Sequence, residues 1–153
     1  MIVVSDTSAI TALLQIGQVA LLQKLYQIVL VPTAVHSELI KSHPVLPTFL
    51  HVKAVSNRSQ VTRLEAELDL GEAEAIVLAK ETSADLLLID EKLGRQAALR
   101  EGLRITGLMG LIIEAKHQRA IPSVRTIVAQ LENEAGFRLS EAVKSEAFRL
   151  AAE

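Results

Sequence analysis

The first eight residues, MIVVSDTS, constrain the fold more than any other stretch of the chain. Ile2, Val3 and Val4 form a short apolar run rich in β-branched residues, which predicts a strand buried on both faces. Asp6 follows directly, and a periodic apolar stretch begins at Ala9, so the expected order is strand, turn, helix. In open α/β sheets ligands bind at the carboxyl ends of the strands, where Asp6 is expected to lie. A carboxylate buried there must be hydrogen-bonded, paired or bound to a metal.

Beyond this first unit, the chain alternates short apolar runs with helical patterns. Further strands are predicted at residues 28–31, 50–55, 86–89 and 103–106. Helices are predicted at residues 8–16, 19–25, 61–68, 72–82, 93–101, 108–117, 124–134 and 140–152, and another begins at Thr33. Strands joined by helical crossovers form a parallel sheet with helices on both faces. The sequence therefore predicts one α/β domain over residues 1–153, a three-layer α/β/α fold with a central parallel sheet of four to five strands, plus C-terminal helices.

Composition narrows the classes of function. The chain has no cysteine, which excludes a disulfide framework and a thiolate metal site. No run approaches the roughly 18 apolar residues of a membrane span, and no signal-peptide pattern is visible, so a cytoplasmic protein is expected. A net charge of −2 argues against binding nucleic acid by bulk charge, so such binding would need a local basic patch or a bridging metal. The glycine-rich phosphate-binding motifs and the GxSxG nucleophile motif are absent.

Four acids fall at predicted strand ends or on the helices that follow them: Asp6, Glu38, Glu74 and Asp90. Because the carboxyl ends of parallel strands meet at one edge of a sheet, we expect these acids to converge. Carboxylates brought together repel one another, and a divalent cation resolves that repulsion. Oxygen ligands without cysteine favour Mg²⁺ or Mn²⁺ over zinc, and such sites usually serve phosphoryl transfer or phosphodiester hydrolysis.

Each acid also has a purely structural explanation. Asp6 and Asp90 are suited to cap the helices that follow them. Glu38 fits the solvated face of its helix, and Glu72 and Glu74 are first-turn acids of the kind that the helix dipole favours. Four acids expected at one edge are nevertheless harder to explain as caps than any one of them alone.

Basic residues follow Asp90 closely. Lys92 and Arg95 lie on the next predicted helix, with Arg100 at its end and Arg104 beyond it. These side chains form either a solvated face or a rim that steers phosphates toward the acids.

Four segments in a fixed order resemble the PIN domain family: VVSDTS, VPTAVHSEL, LDLGEAEAIVLA and LLLIDEKLGRQAA. The resemblance is closest to VapC-like ribonucleases of a subgroup with a GEAEAI-type helix and a TG-x-x-G turn, here Thr106 to Gly110. It covers roughly residues 2–121, so it implies a PIN-like core of about 1–121 and a C-terminal helical extension of about 122–153.

The resemblance also implies the site residues. It assigns metal binding and catalysis to four acids: Asp6, Glu38, Glu74 and Asp90. The supporting residues are Ser8, Thr7, Glu72 and Glu91, and Lys92 and Arg95 are expected at the substrate. The pattern of an acid followed by alanine and two apolar residues favours Glu74 as the third acid. Glu72 is a close rival that lies roughly 200° round the helix, so the two are not expected to point into one site.

A PIN-type chain implies a Mg²⁺- or Mn²⁺-dependent endoribonuclease that hydrolyses RNA. Many PIN domains are the toxins of toxin–antitoxin pairs, so a small antitoxin partner and a homodimer are expected as well, with no membrane association. The alternative is a PIN-like module that binds nucleic acid or protein and has weak or no catalytic activity.

Overall fold

A computed structural model describes all 153 residues, and its core is one five-stranded sheet. The strands are β1 (Val3–Ser5), β2 (Val29–Pro32), β3 (Leu50–Lys53), β4 (Leu86–Leu88) and β5 (Ile105–Thr106). The helices are α1 (Thr7–Gln15), α2 (Ala20–Tyr26), α3 (Thr33–Ser42), α4 (Arg58–Leu64), α5 (Leu70–Glu81), α6 (Lys92–Arg100), α7 (Leu108–His117), α8 (Val124–Glu134) and α9 (Glu141–Leu150). The predicted three-layer α/β/α fold with a central parallel sheet is confirmed. None of the helices combines the length and the hydropathy that a membrane crossing requires.

The sheet order is β3-β2-β1-β4-β5, and every neighbouring pair is parallel. After β1 the chain adds β2 and β3 on one side, and then returns to add β4 and β5 on the other. The reversal leaves a crevice between the carboxyl ends of β1 and β4, where open α/β sheets bind their ligands. Asp6 follows β1 directly, and its backbone N–H donates to Leu88 O at 2.9 Å. Asp90 and Glu91 follow β4 at the same edge.

Alternate residues of the central strands enter two hydrophobic cores, one on each face of the sheet. Val3 and Leu88 belong to a core of 28 residues shared with α1, α2, α3, α7, α8 and α9. Val4 and Leu87 belong to a core of 15 residues shared with α4, α5 and α6. Since β1, β2 and β4 are largely buried on both faces, their apolar residues are continuous along the chain, whereas β3 at the edge of the sheet is mostly exposed.

Helix starts are where the structure departs from the predicted bounds. α1 begins at Thr7 with Asp6 in the N-cap position, whereas the sequence favoured Ser8 as the cap. α4 covers residues 58–64 instead of 61–68, since Asn57 caps it by accepting a hydrogen bond from the Gln60 amide. α5 begins at Leu70, ahead of the predicted Glu72, because Asp69 forms a capping box with Glu72.

Candidate active site

A cavity of about 550 Å³ opens at the carboxyl edge of the sheet, beside β1 and β4. Six of its lining residues are acids: Asp6, Glu38, Glu67, Asp69, Glu72 and Glu91. Its one basic residue is Lys92. The remaining lining residues are Thr7, Ser8, Thr11, Ala12, Gln15, Leu93 and Phe137. The concentration of like charge makes this cavity the strongest candidate for a functional site.

Four stretches of the chain bring these acids together. Asp6 lies between β1 and α1. Glu38 projects from α3, the helix that follows β2. Asp69 and Glu72 lie at the start of α5, and Glu91 occupies the N-cap position of α6. Glu67 precedes α5 and pairs with Arg100. Because Asp6, Glu38, the stretch 67–72 and Glu91 are far apart in sequence, only the folded sheet assembles the cluster.

Asp6 is a buried acid with little to compensate its charge. It is 4% exposed, and its side chain accepts no capping hydrogen bond from α1. Burial raises the pKa of Asp6 to about 7; the nearby Thr7 amide opposes this, while the carboxylates of Asp69, Glu38 and Glu91 add to it. A group in this state gains strongly from any positive charge that enters the cavity.

The capping box of α5 places two more acids beside Asp6. Asp69 accepts a hydrogen bond from the Glu72 amide at 2.8 Å, and the Glu72 side chain reaches back to the Asp69 amide at 3.4 Å. The pKa of Glu72 is raised to about 7, chiefly by burial and also by the nearby carboxyl groups of Asp69 and Asp6, while the hydrogen bond from the Asp69 amide opposes the rise. The helix cap and the acidic cavity are therefore built from the same residues.

Two buried side-chain atoms in the whole chain have no hydrogen-bond partner, and both belong to residues that line this cavity. They are Thr7 Oγ1 and Glu72 Oε2. Buried polar atoms without partners are rare in folded proteins and need a specific explanation. A bound ligand that is coordinated by oxygen atoms would explain why both atoms lack a partner within the chain.

Gly71 leaves open space at the centre of the acids. A Cβ at this position would lie 3.0 Å from Glu38 Oε1 and 3.6 Å from both Asp6 Oδ1 and Asp69 Oδ1. Three carboxylates from three segments thus surround one small volume that a side chain would fill. That volume is the best placed in the cavity for a cation.

The donor chemistry of the cavity fits a hard divalent cation. All six acids supply oxygen, and no histidine or cysteine lines the cavity. Apart from Glu67, none of these acids forms an ion pair with a basic side chain. As they stand, however, no three acids or histidines are grouped closely enough to hold a metal ion. The fit therefore rests on donor type, the open volume at Gly71 and the two unpartnered atoms.

Glu74, which the sequence favoured as the third acid, does not line the cavity. Its Oε1 accepts a hydrogen bond from the Ala34 amide at 2.9 Å, and its Oε2 pairs with Arg58 at 2.7 Å. The structure instead brings the rival, Glu72, to Asp6. The two side chains diverge because they are two residues apart on a helix, so only one can face the sheet edge.

Asp90, the fourth expected acid, lies beside the acidic cavity but does not line it. It is half-buried, and its Oδ1 accepts a hydrogen bond from the Leu108 amide at 3.0 Å, at the start of α7. Its neighbour Glu91 takes the place in the acidic cavity. Of the two basic residues expected at the substrate, Lys92 lines the cavity, whereas Arg95 does not and lies near Gly107.

Seven lining residues were not identified from the sequence, and three of them bear on the chemistry of the cavity: Glu67, Asp69 and Phe137. Asp69 had a detectable signal, because an aspartate three residues before a glutamate and ahead of an alanine-rich run is typical of a capping box. Glu67 and Phe137 reach the cavity from a turn and from the segment between α8 and α9, and no local pattern predicts those approaches.

Comparison with protein families agrees with this geometry. A family model described as a PIN domain matches residues 2–153. The chain belongs to the PIN domain family. The match includes α8 and α9 as well as the sheet and its flanking helices. PIN domains are generally nucleases and typically use divalent metal ions. No significant match to a curated protein was found.

Proposed function

We propose that this PIN domain is a Mg²⁺- or Mn²⁺-dependent endoribonuclease. The observation that carries the proposal is the acidic cavity at the crevice between β1 and β4, where five acids have no ion-pair partner. A phosphodiester could not enter such a cavity unaided, because six carboxylates face a single lysine. Divalent cations remove this obstacle and are the usual partners of phosphate in proteins.

Within this proposal, Asp6, Glu38 and Glu72 hold the cation, and Asp69 and Glu91 lie within the same cavity to assist. When bound, the ion supplies a water of lowered pKa and neutralises charge that develops on the phosphate. Ser8 and Thr7 line the cavity beside Asp6, where their hydroxyl groups can orient a carboxylate or a water. Lys92 is the one cation that can contact a substrate phosphate from the cavity wall.

A catalytically weak binding module is the second candidate. It is favoured by two observations: no three acids are grouped as metal ligands, and Asp90 is engaged by the Leu108 amide. In that case the cavity would bind a cation or a basic side chain without hydrolysis. The two functions differ in whether RNA is cleaved when Mn²⁺ is present.

The proposal extends to a cellular role as the toxin of a toxin–antitoxin pair, in the cytoplasm, with a small antitoxin as partner. The acidic cavity supports this because a basic antitoxin side chain would find complementary charge there. A homodimer is proposed as well. It is supported by an apolar groove between α7 and α9, lined by Met109, Ile113 and Leu150 among others, with Leu150 43% exposed.

The deciding experiment pairs calorimetry with an RNA cleavage assay. Mn²⁺ is titrated into the wild type and into the Asp6→Asn variant, and both are incubated with single-stranded RNA. We expect Asp6→Asn to weaken Mn²⁺ binding and to lower cleavage by about a hundredfold or more while the fold is retained.

Asp85→Asn is the matched control. It removes the same charge at the opposite edge of the sheet, where Asp85 accepts a hydrogen bond from the Ile2 amide, so cleavage should be unchanged. Undiminished cleavage by Asp6→Asn would refute the proposed role of Asp6. Mn²⁺ binding without cleavage of any RNA would favour the binding module.

A further inference from the structure

A second cavity, of about 320 Å³, adjoins the acidic one. The two share three wall residues: Ser8, Glu91 and Phe137. The other walls of the second cavity are mostly apolar, because Leu108, Met109 and Leu139 contribute them. A ligand that occupied both cavities would therefore have one charged part and one flat or apolar part.

Phe137 is fixed in place between the two cavities by its backbone. Gly136 has a φ of +69°, a left-handed conformation that ends α8 with a sharp turn. The Phe137 amide then donates to Leu131 O at 3.0 Å. The side chain is half-buried, so the ring is anchored by the core while part of it faces the cavities. Such an anchored aromatic ring is suited to stacking against a planar ligand.

Polar groups in the second cavity are acceptors for the most part. Asp90 uses Oδ1 for the Leu108 amide, which leaves Oδ2 without a partner within the chain. Glu91 adds a second carboxyl group, and Ser8 adds a hydroxyl group that makes no hydrogen bond within the chain. Carboxyl oxygens of this kind accept hydrogen bonds from amino groups, as acidic side chains do when they read cytosine N4.

We propose that the second cavity binds one unpaired base of single-stranded RNA whose backbone lies at the acidic cavity. The inference rests on the proposed function, and it names the part of the substrate that the enzyme reads. Phe137 stacks on the base, Leu108 and Met109 contact its edge, and Asp90 and Glu91 accept hydrogen bonds from an exocyclic amino group. Bases that carry such a group, cytosine among them, bind better than uracil, which has none.

The first test measures binding rather than hydrolysis. Fluorescently labelled tetranucleotides of RNA are titrated with the whole chain in Ca²⁺, and their integrity is checked on gels. We expect Phe137→Ala and Phe137→Leu to weaken binding about tenfold and Phe137→Trp to preserve it, since stacking needs an aromatic face.

A tetranucleotide with a single abasic position, placed at each position in turn, separates stacking from folding. At the position that occupies the cavity, the wild type should bind the abasic RNA about tenfold more weakly than the intact RNA, and Phe137→Ala should bind both alike. The proposal is overturned if Phe137→Ala leaves binding unchanged, or weakens abasic and intact RNA equally.

Cytosine and uracil at that position test the acceptor groups. Tighter binding of the cytosine-containing RNA is expected, and equal binding would refute reading by the carboxyl groups. If the protein discriminates between bases but never cleaves RNA, the base site is supported and the proposed nuclease activity is refuted. If the protein cleaves RNA but binds abasic and intact RNA equally, the base site is refuted and the nuclease activity is not.

Discussion

Asp6 and Glu72 are buried acids whose pKa values both rise to about 7, chiefly because burial penalises the charged form. The unfolded chain would ionise them near pH 4, so the native state holds protons that the unfolded state releases. The free energy of unfolding therefore falls as the pH rises from about 4 to about 7, and then levels off. In the absence of metal, these residues cost stability at neutral pH, which is a common property of functional sites.

Replacing Asp6 by asparagine should therefore stabilise the metal-free protein. At pH 8 we expect Asp6→Asn to raise the free energy of unfolding by about 2 to 4 kcal/mol, because a buried charge is removed. At pH 4 the wild-type carboxyl is protonated and neutral, so the difference should nearly vanish. Urea unfolding in EDTA at the two pH values measures it, and an equal difference at both would contradict the burial argument.

Gly71 allows a test of the open volume itself. Alanine suits a helix better than glycine, and Gly71 has no positive φ to preserve, so Gly71→Ala should still fold. Its Cβ would nonetheless lie 3.0 Å from Glu38 Oε1 and occupy the space among the acids. We expect Mn²⁺ affinity to fall about tenfold by calorimetry.

Leu70→Ala is the matched control for Gly71→Ala. Leu70 is the preceding residue of α5, is 41% exposed and does not line the cavity. Its replacement should leave Mn²⁺ affinity unchanged. Full affinity in Gly71→Ala would place the cation elsewhere than the volume at Gly71.

At the scale of elements, α5 divides the two acids near its N-terminus, Glu72 and Glu74, between different tasks. Glu72 faces Asp6, whereas Glu74 binds the Ala34 amide in the first turn of α3. Glu38 lies on α3, one turn further along. Glu74 therefore helps to hold the helix that carries Glu38, and it supports the site through position rather than by contact with a ligand.

Glutamine substitutions separate the two tasks. Glu72→Gln should lower Mn²⁺ affinity by more than about tenfold, because it removes a carboxylate from the cavity. Glu74→Gln should change affinity little and lower the free energy of unfolding by about 1 kcal/mol, through weaker bonds to Ala34 and Arg58. Calorimetry and urea unfolding on both variants provide the comparison. A larger loss of Mn²⁺ binding in Glu74→Gln would reverse this assignment.

The bounds of helices and strands with a regular spacing of apolar residues could be predicted closely from the sequence. The directions of the side chains at the ends of these elements could not. The helix at 124–134 and the short strand before Asp90 follow from apolar spacing alone. The choice between Glu72 and Glu74 depended on where α5 begins, and the Asp69 capping box moved that start to Leu70. The resemblance to the family favoured Glu74 because of the residues that follow it in the sequence. Which acid faces Asp6 is instead decided by the rotation of α5 about its axis, and that rotation selects Glu72.

At the scale of the whole molecule, α8 and α9 complete the larger core and so support the sheet that carries the site. Val124, Ile127, Val128 and Leu131 of α8 are buried in that core, with Ala147 of α9. The segment between these helices delivers Phe137 to the cavity. The C-terminal helices are thus part of both the packing and the candidate site.

Glu153 fastens three of these helices with one carboxylate. Its oxygens accept hydrogen bonds from the Val124 amide at 2.6 Å, from Ser123 Oγ at 2.8 Å and from Lys116 Nζ at 3.2 Å. Burial would raise the pKa of Glu153, but these bonds outweigh it and lower the pKa to about 2. A carboxylate at the first turn of α8 is also favoured by the helix dipole.

Glu153→Gln should therefore destabilise the protein in a pH-dependent way. Because the folded pKa lies below the unfolded one, the stabilisation by Glu153 is complete above about pH 4.5 and is lost as the pH falls toward 2. We expect a loss of about 1 to 2 kcal/mol at pH 7, measured by urea unfolding, and a smaller difference at pH 3. Glu146→Gln, which removes an exposed pair with Arg149 on α9, should leave the free energy of unfolding almost unchanged, because solvent screens that pair. If Glu153→Gln cost no more than Glu146→Gln at pH 7, the carboxylate would not be what joins α9 to the start of α8.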